Sequence, residues 1–178
     1  MKRGSGKTKG SGYERDICKD LTFWINGTKK PLLFWRSISS GGHFTVTKKA
    51  SMHAGDITVI ASPDDIGYKE AIAFINYFTI ECKFYKNLQF MLGHTSELEN
   101  FWNQAITQKE DKKHPLLFLK INRRNQLVGC DDEFAEFLKQ HIHQYSSYKF
   151  LDKPSLHLFK KDDLLSLEYS LVNKFLSK

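Results

Sequence analysis

An aspartate at position 56 and the tripeptide Glu81-Cys82-Lys83 are the residues best suited to chemistry in this chain. Both lie in runs of strand composition, Gly55-Asp56-Ile57-Thr58-Val59-Ile60 and Phe78-Thr79-Ile80-Glu81-Cys82-Lys83-Phe84, rich in β-branched and aromatic residues. Side chains on a strand alternate between faces, so Glu81 and Lys83 share one face while Phe78, Ile80, Cys82 and Phe84 share the other. If the two strands pair, the carboxylates of Asp56 and Glu81 supply the oxygen ligands that Mg²⁺ prefers. Lys83 can then meet the charge that develops on an attacked phosphate. These residue types at this spacing fit hydrolysis of a phosphodiester. On a solvent-facing edge strand, the same tripeptide would be only a surface ion pair.

The elements that must position these groups can be read around them. Ser11-Gly12-Tyr13-Glu14 has capping-box spacing, and Ile17, Cys18, Leu21, Trp24 and Ile25 follow at helical spacing, which predicts a helix from about Gly12 to Ile25 ended by Asn26-Gly27. Glu14 falls at the N-terminal edge of its apolar stripe, where it is either a cap or an acid turned toward the core. Pro31 to Arg36 reads as a strand, and Ser37 to Gly42 as a flexible loop. Pro63 to Glu70 reads as a loop inserted between the two chemical strands, with Asp64 and Asp65 as turn formers or rival metal acids. His43 and His53 lack the context and spacing of a histidine-based nuclease.

Further on, Ser96-Glu97-Leu98-Glu99 opens a second helix that carries Phe101, Trp102, Ala105 and Ile106 on one face. Gln104 lies off that face, toward DNA or toward solvent. Pro115 to Leu119 is short and continuously apolar, as a strand buried on both faces should be. Arg123-Arg124 marks a turn tip, either touching DNA or solvated. A third helix starts at Asp131 or Asp132 with His141 as a packing residue, and Leu164, Leu167, Leu171 and Phe175 form one helical stripe that packs on the domain or on a second subunit.

The length of 178 residues and 40% hydrophobic content suit one domain with a real core. No run of eighteen apolar residues and no signal-peptide pattern occurs, so no membrane partner and an intracellular, cytoplasmic location are expected. Cys18, Cys82 and Cys130 are far apart, which argues against a disulfide framework or a zinc site. The net charge of +7 fits a polyanionic partner. Four of those charges, Lys2, Arg3, Lys7 and Lys9, precede the first acid and lie among glycines and serines. Residues 1–11 are therefore expected to be a flexible basic arm that grips phosphates or is merely solvated, and 12–178 the single catalytic domain.

Taken in order, Lys9-Gly10-Ser11, Glu14-Arg15, Arg36, Ser40-Gly41, Asp56-Ile57 and Ile80-Glu81-Cys82-Lys83 resemble the archaeal-type Holliday junction resolvases of the PD-(D/E)XK nuclease superfamily, over about residues 7 to 122. The resemblance implies an α/β restriction-endonuclease-like fold, with a mixed central sheet flanked by helices. It implies metal binding by Asp56 and Glu81 with help from Glu14, with Mg²⁺ as the cofactor and Mn²⁺ as a substitute. Lys83 would be the catalytic lysine and Ser40 a mobile-loop serine. Arg36, Arg15, Lys9, Ser39 (the fallback for Ser40) and Gln104 would contact DNA. A homodimer cutting a four-way junction is implied, with a role in recombination or repair, and a viral or phage gene is one source. The long connection between Asp56 and Glu81 departs from the family. Two alternatives stand beside this one: a PD-(D/E)XK endonuclease of restriction, replication or repair type acting on duplex or flap DNA, and a non-catalytic DNA-binding protein on the same scaffold.

Overall fold

The computed structural model describes residues 6–37, 55–85 and 96–177. Helix α1 runs Gly6–Asn26 and leads to the short strands β1 (Phe34–Arg36) and β2 (Ile57–Val59). Helix α2 (Tyr68–Tyr77) passes directly into β3 (Phe78–Tyr85), and α3 (Ser96–Gln108) crosses over to β4 (His114–Ile121). Then come β5 (Leu127–Cys130), α4 (Asp132–Lys139), β6 (Tyr145–Tyr148), β7 (Leu156–Lys160), α5 (Lys161–Ser166) and α6 (Tyr169–Leu176).

The main sheet has five strands in the order β3-β4-β5-β7-β6. β3 and β4 are parallel, in the register Glu81↔Leu117 and Lys83↔Leu119, and the remaining neighbours are antiparallel. A parallel pair needs a crossover, and α3 provides it. The fold is thus the mixed α/β sheet flanked by helices that the sequence predicts.

Strand alternation divides the interior between two faces. Ile80, Cys82, Leu116, Phe118 and Val128 pack with Ile17, Cys18 and Leu21 of α1 and with Phe134 of α4 in one core. Leu117, Leu119 and Ile121 turn the other way and pack with Leu98, Trp102 and Ala105 of α3. The apolar run at Leu116 to Leu119 is buried on both faces because both faces carry a helix.

Several boundaries differ from the sequence expectation. α1 starts at Gly6, so residues 6–11 of the basic arm are helical and Ser11 lies inside the helix rather than capping it. The expected loop from Pro63 to Glu70 is a turn only as far as Gly67, after which α2 begins. Asp65 accepts a hydrogen bond from Ser62 N (2.7 Å), the turn-forming role, and Asp64 is exposed. His141 is exposed, with its ring against Phe137, rather than inside the core. The C-terminal stripe is two helices, because Leu167 and Glu168 are extended. Its second half packs on the domain itself: Tyr169 and Val172 are in the core, and Tyr169 donates to Glu70 O (3.0 Å).

β2 pairs with β1 in a two-stranded ribbon, Trp35↔Thr58 and Arg36↔Ile57, and is not a continuous neighbour of β3. The ribbon reaches the main sheet through one residue: Asp56 N donates to Ile80 O at 2.7 Å. Gly55 makes that approach feasible. Its φ is +91, and a Cβ there would lie 2.6 Å from Ile80 O, a separation that real structures do not tolerate. Ser37 Oγ donates to Gly55 O (2.6 Å) and holds the same segment from the β1 side. Replacing Gly55 by Ala should cost about 1–3 kcal/mol, from the strained backbone and the forced separation from β3. Urea unfolding checks this, and the loss should be accompanied by loss of whatever activity depends on Asp56.

Candidate active site

Five charged side chains converge where the ribbon, α1 and the edge strand β3 meet. Glu81 is almost fully buried and ion-pairs with Lys83, Nζ to Oε1 2.5 Å, which the two-residue strand spacing allows on a shared face. Asp56 turns its carboxylate onto the backbone of that strand, and Oδ2 accepts from Cys82 N at 2.8 Å. The acid is therefore held between the alpha carbons of Glu81 and Lys83. Glu14, buried on α1, pairs with Arg36 of β1.

The electrostatics agree with the geometry. Burial pushes the Asp56 carboxyl up to about 7, and the charges of Glu81 and Glu14 add to the rise; the Cys82 N–H and the Lys83 ammonium oppose it. Burial also raises Glu81, with Lys83 pulling down through its charge and hydrogen bond and Glu14 pushing up. Three carboxylates thus feel one another, while the nearby cations Lys83 and Arg36 are each bonded to one of them. Burial pushes the Cys18 thiol up to about 12 and the Cys82 thiol well above its usual value, so both sulfurs stay protonated and neither is a thiolate nucleophile.

Among the described residues, no group of three or more His, Cys, Asp or Glu side chains forms a ready-made coordination cage. Mg²⁺ does not require one, since it keeps several of its waters and takes one or two carboxylates. Asp56 and Glu81 fit that demand: burial raises both carboxyls and the Glu81 charge raises Asp56 further, a repulsion that a divalent cation would relieve.

The structure therefore brings together Glu14, Arg36, Asp56, Glu81 and Lys83. Arg15 is half-buried on α1 beside Glu14. Lys9 lies in the first turns of α1. Gln104 donates to Gln108 of its own helix (3.2 Å), the role of a plain helix-surface amide. Ser39, Ser40, His43 and His53 lie outside the described residues. Sequence reasoning missed two features: the Glu14–Arg36 pair, which joins elements 22 residues apart, and the Cys82 backbone N–H that orients Asp56. The glycine directly before Asp56 was the available signal for a close backbone approach.

A mixed sheet with an acid, an acid-x-Lys strand and a helix glutamate at its edge defines the PD-(D/E)XK class of nucleases. Residues 5–159 match the model of a family described as "Phage putative PDDEXK endonuclease". The chain belongs to that family. The DNA-directed RNA polymerase subunit beta of Carsonella ruddii (strain PV) is 29% identical over 136 residues, 72% of this chain and 10% of that protein. The chain thus spans a tenth of that subunit's length, too little to assign a role. No solved structure matches the chain. Among the described residues no helix is long and apolar enough to cross a membrane.

The raised Asp56 carboxyl sets a pH signature for the metal-free protein. A proton held more tightly in the folded than in the unfolded chain stabilises the fold below the unfolded value near 3.9, and this contribution is lost as pH rises through about 7. Asp56→Asn keeps an acceptor for Cys82 N and removes the buried charge. In chelator, its melting temperature should exceed the parent's at pH 8 and converge with it near pH 4. Equal melting temperatures at both pH values would mean that Asp56 is not desolvated beside other charges.

Proposed function

We propose that the protein is a metal-dependent DNA endonuclease with its active centre at Asp56, Glu81 and Lys83, and that its substrate is a branched DNA of the four-way-junction type. The observation that carries the assignment is the seating of the Asp56 carboxylate on Cys82 N, between an acid and a lysine of the same strand. A degenerate scaffold that only bound DNA would gain nothing from carboxylates buried where phosphates approach.

A divalent cation at Asp56 and Glu81, Mg²⁺ with Mn²⁺ as a substitute, would supply Lewis-acid polarisation of the phosphate and a hydroxide-like water. Glu81 and Asp56 are held ready for it by burial and by the Cys82 N–H. With a cation held at Glu81, the Lys83 ammonium that now pairs with it would be free to meet the charge on the phosphate in the transition state. Arg36 holds the Glu14 carboxylate in place through their ion pair, and exchanges it for a DNA phosphate when substrate is bound. Ser40, with Ser39 as its fallback, would add a serine to the site, as the sequence resemblance implies. A homodimer would place two such centres on opposed strands of a junction, and a phage gene fits the family's description.

Asp56→Asn should lower cleavage by about 10³-fold or more, the loss of several kcal/mol of transition-state stabilisation, and leave DNA binding equal or tighter. Lys83→Met should lower kcat by about 10²–10³-fold with little change in binding. Labelled four-way junction and linear duplex of matched sequence, cut separately and in competition with Mg²⁺, test both the chemistry and the substrate. Preferential binding and symmetric cutting of the junction is the expected result. Cutting confined to one duplex sequence, at equal affinity for both DNAs, would move the assignment to a restriction-type enzyme. Parental rates in the Asp56 variant would remove the active centre altogether.

A further inference from the structure

The turn between β4 and β5 has no part in the chemistry above, yet it is built onto the catalytic strand. It carries Lys120, Arg123 and Arg124 within five residues, and both arginines are exposed. β3 and β4 are parallel, so their C-terminal ends lie side by side, with Phe84 in register with Lys120. The turn is tied back to β3, because Asn122 N donates to Tyr85 O at 3.1 Å. Tyr85 is two residues past Lys83, about 7 Å along the strand. Arg124 N donates to Ile121 O (3.1 Å) and closes the turn, and Arg123 takes a left-handed conformation with φ 60. Lys120 is fixed by two rings, its Nζ 5.4 Å from the Tyr13 centroid and 5.7 Å from that of Phe84, and Tyr13 directly precedes Glu14.

Charge distinguishes this turn from its surroundings. At the active centre, both cations are bonded to carboxylates, Arg36 to Glu14 and Lys83 to Glu81. None of Lys120, Arg123 and Arg124 is ion-paired with a described carboxylate. A polyanion arriving at the strand ends therefore meets, among the described residues, positive charge here that is not committed to a carboxylate. We infer that the β4–β5 turn, through Arg123 and Arg124 with Lys120 behind them, clamps a DNA backbone phosphate next to the one attacked at Lys83. The contact is to phosphate and carries no base readout, so it serves junction and duplex arms alike. This rests on the assignment of the Glu81–Lys83 end of the sheet as the cutting centre.

The test is DNA binding by the full chain in chelator, where nothing is cut, across a salt series, using labelled linear duplex and four-way junction. In R123G/R124A, glycine suits the left-handed position, so the melting temperature should equal or exceed the parent's. Affinity at low salt should fall about tenfold per arginine, and the slope of log affinity against log salt should become shallower by about one for each. R123K/R124K should keep the parental slope. If the double variant is misfolded by circular dichroism, R124A alone should show half the change. Parental affinity and slope in the folded variant overturn the inference. Cleavage by the parent with Mg²⁺, measured in parallel, separates the two assignments. A parent that does not cut but binds through these arginines loses the nuclease centre and keeps this surface, whereas a parent that cuts but binds independently of them loses this surface alone.

Discussion

The docking of one residue, Asp56, on the backbone of β3 is the constraint on which the proposed active centre depends. Two bonds make it, Asp56 N to Ile80 O and Cys82 N to Asp56 Oδ2. They bring a three-residue strand from a separate ribbon to the edge of the five-stranded sheet and place a third acid beside Glu81. The arrangement opposes stability: desolvation and like charge push both carboxylates toward the protonated state, and Lys83, with the Cys82 N–H at Asp56, offsets that only in part. Groups gathered against their own electrostatics suit a centre that takes up a cation in use better than one that merely supports a fold.

The remainder of the structure can be understood as support for that edge. α1 packs Ile17, Cys18 and Leu21 on one face of the sheet and delivers Glu14 from its N-terminal half; α3 covers the other face with Trp102 and leaves the C-terminal ends of β3 and β4 accessible at the β4–β5 turn. α2 runs straight into β3, so the apolar Phe74 and Phe78, 5.0 Å apart by ring centroid, fix the start of that strand. The Lys161–Asp20 pair (2.6 Å), with Lys161 buried and Asp20 partly exposed, joins α1 to α5. Removing Asp20 alone would leave the Lys161 charge buried without its partner.

What was legible in the sequence was local. Period-two alternation put Glu81 and Lys83 on one face, the apolar run at Leu116 to Leu119 gave a strand covered twice, and the cap of α4 was narrowed to Asp131 or Asp132, of which Asp131 is the one whose side chain accepts from Phe134 N. What was not legible depended on distant partners. The start of α1 at Gly6 is a property of a helix continued through two glycines that propensity alone would end. Arg36 has no local sign that Glu14 is its partner, and nothing in the alternation of β2 says that Asp56 meets β3 through its backbone rather than through ladder pairing. The C-terminal stripe has helical spacing throughout, and the break at Leu167 follows from Trp24, whose indole N–H donates to Leu167 O at 2.7 Å.

The central claim is that Asp56 and Glu81 form one divalent-cation centre with Lys83 as the displaced partner. A crystal of the protein soaked in Mn²⁺ and measured for anomalous scattering tests it most directly, without any need for turnover. A manganese peak at the Asp56 and Glu81 carboxylates is expected, with the Lys83 ammonium moved off Glu81. A soaked crystal with manganese bound elsewhere, Lys83 still paired to Glu81 and no peak at Asp56 would contradict it.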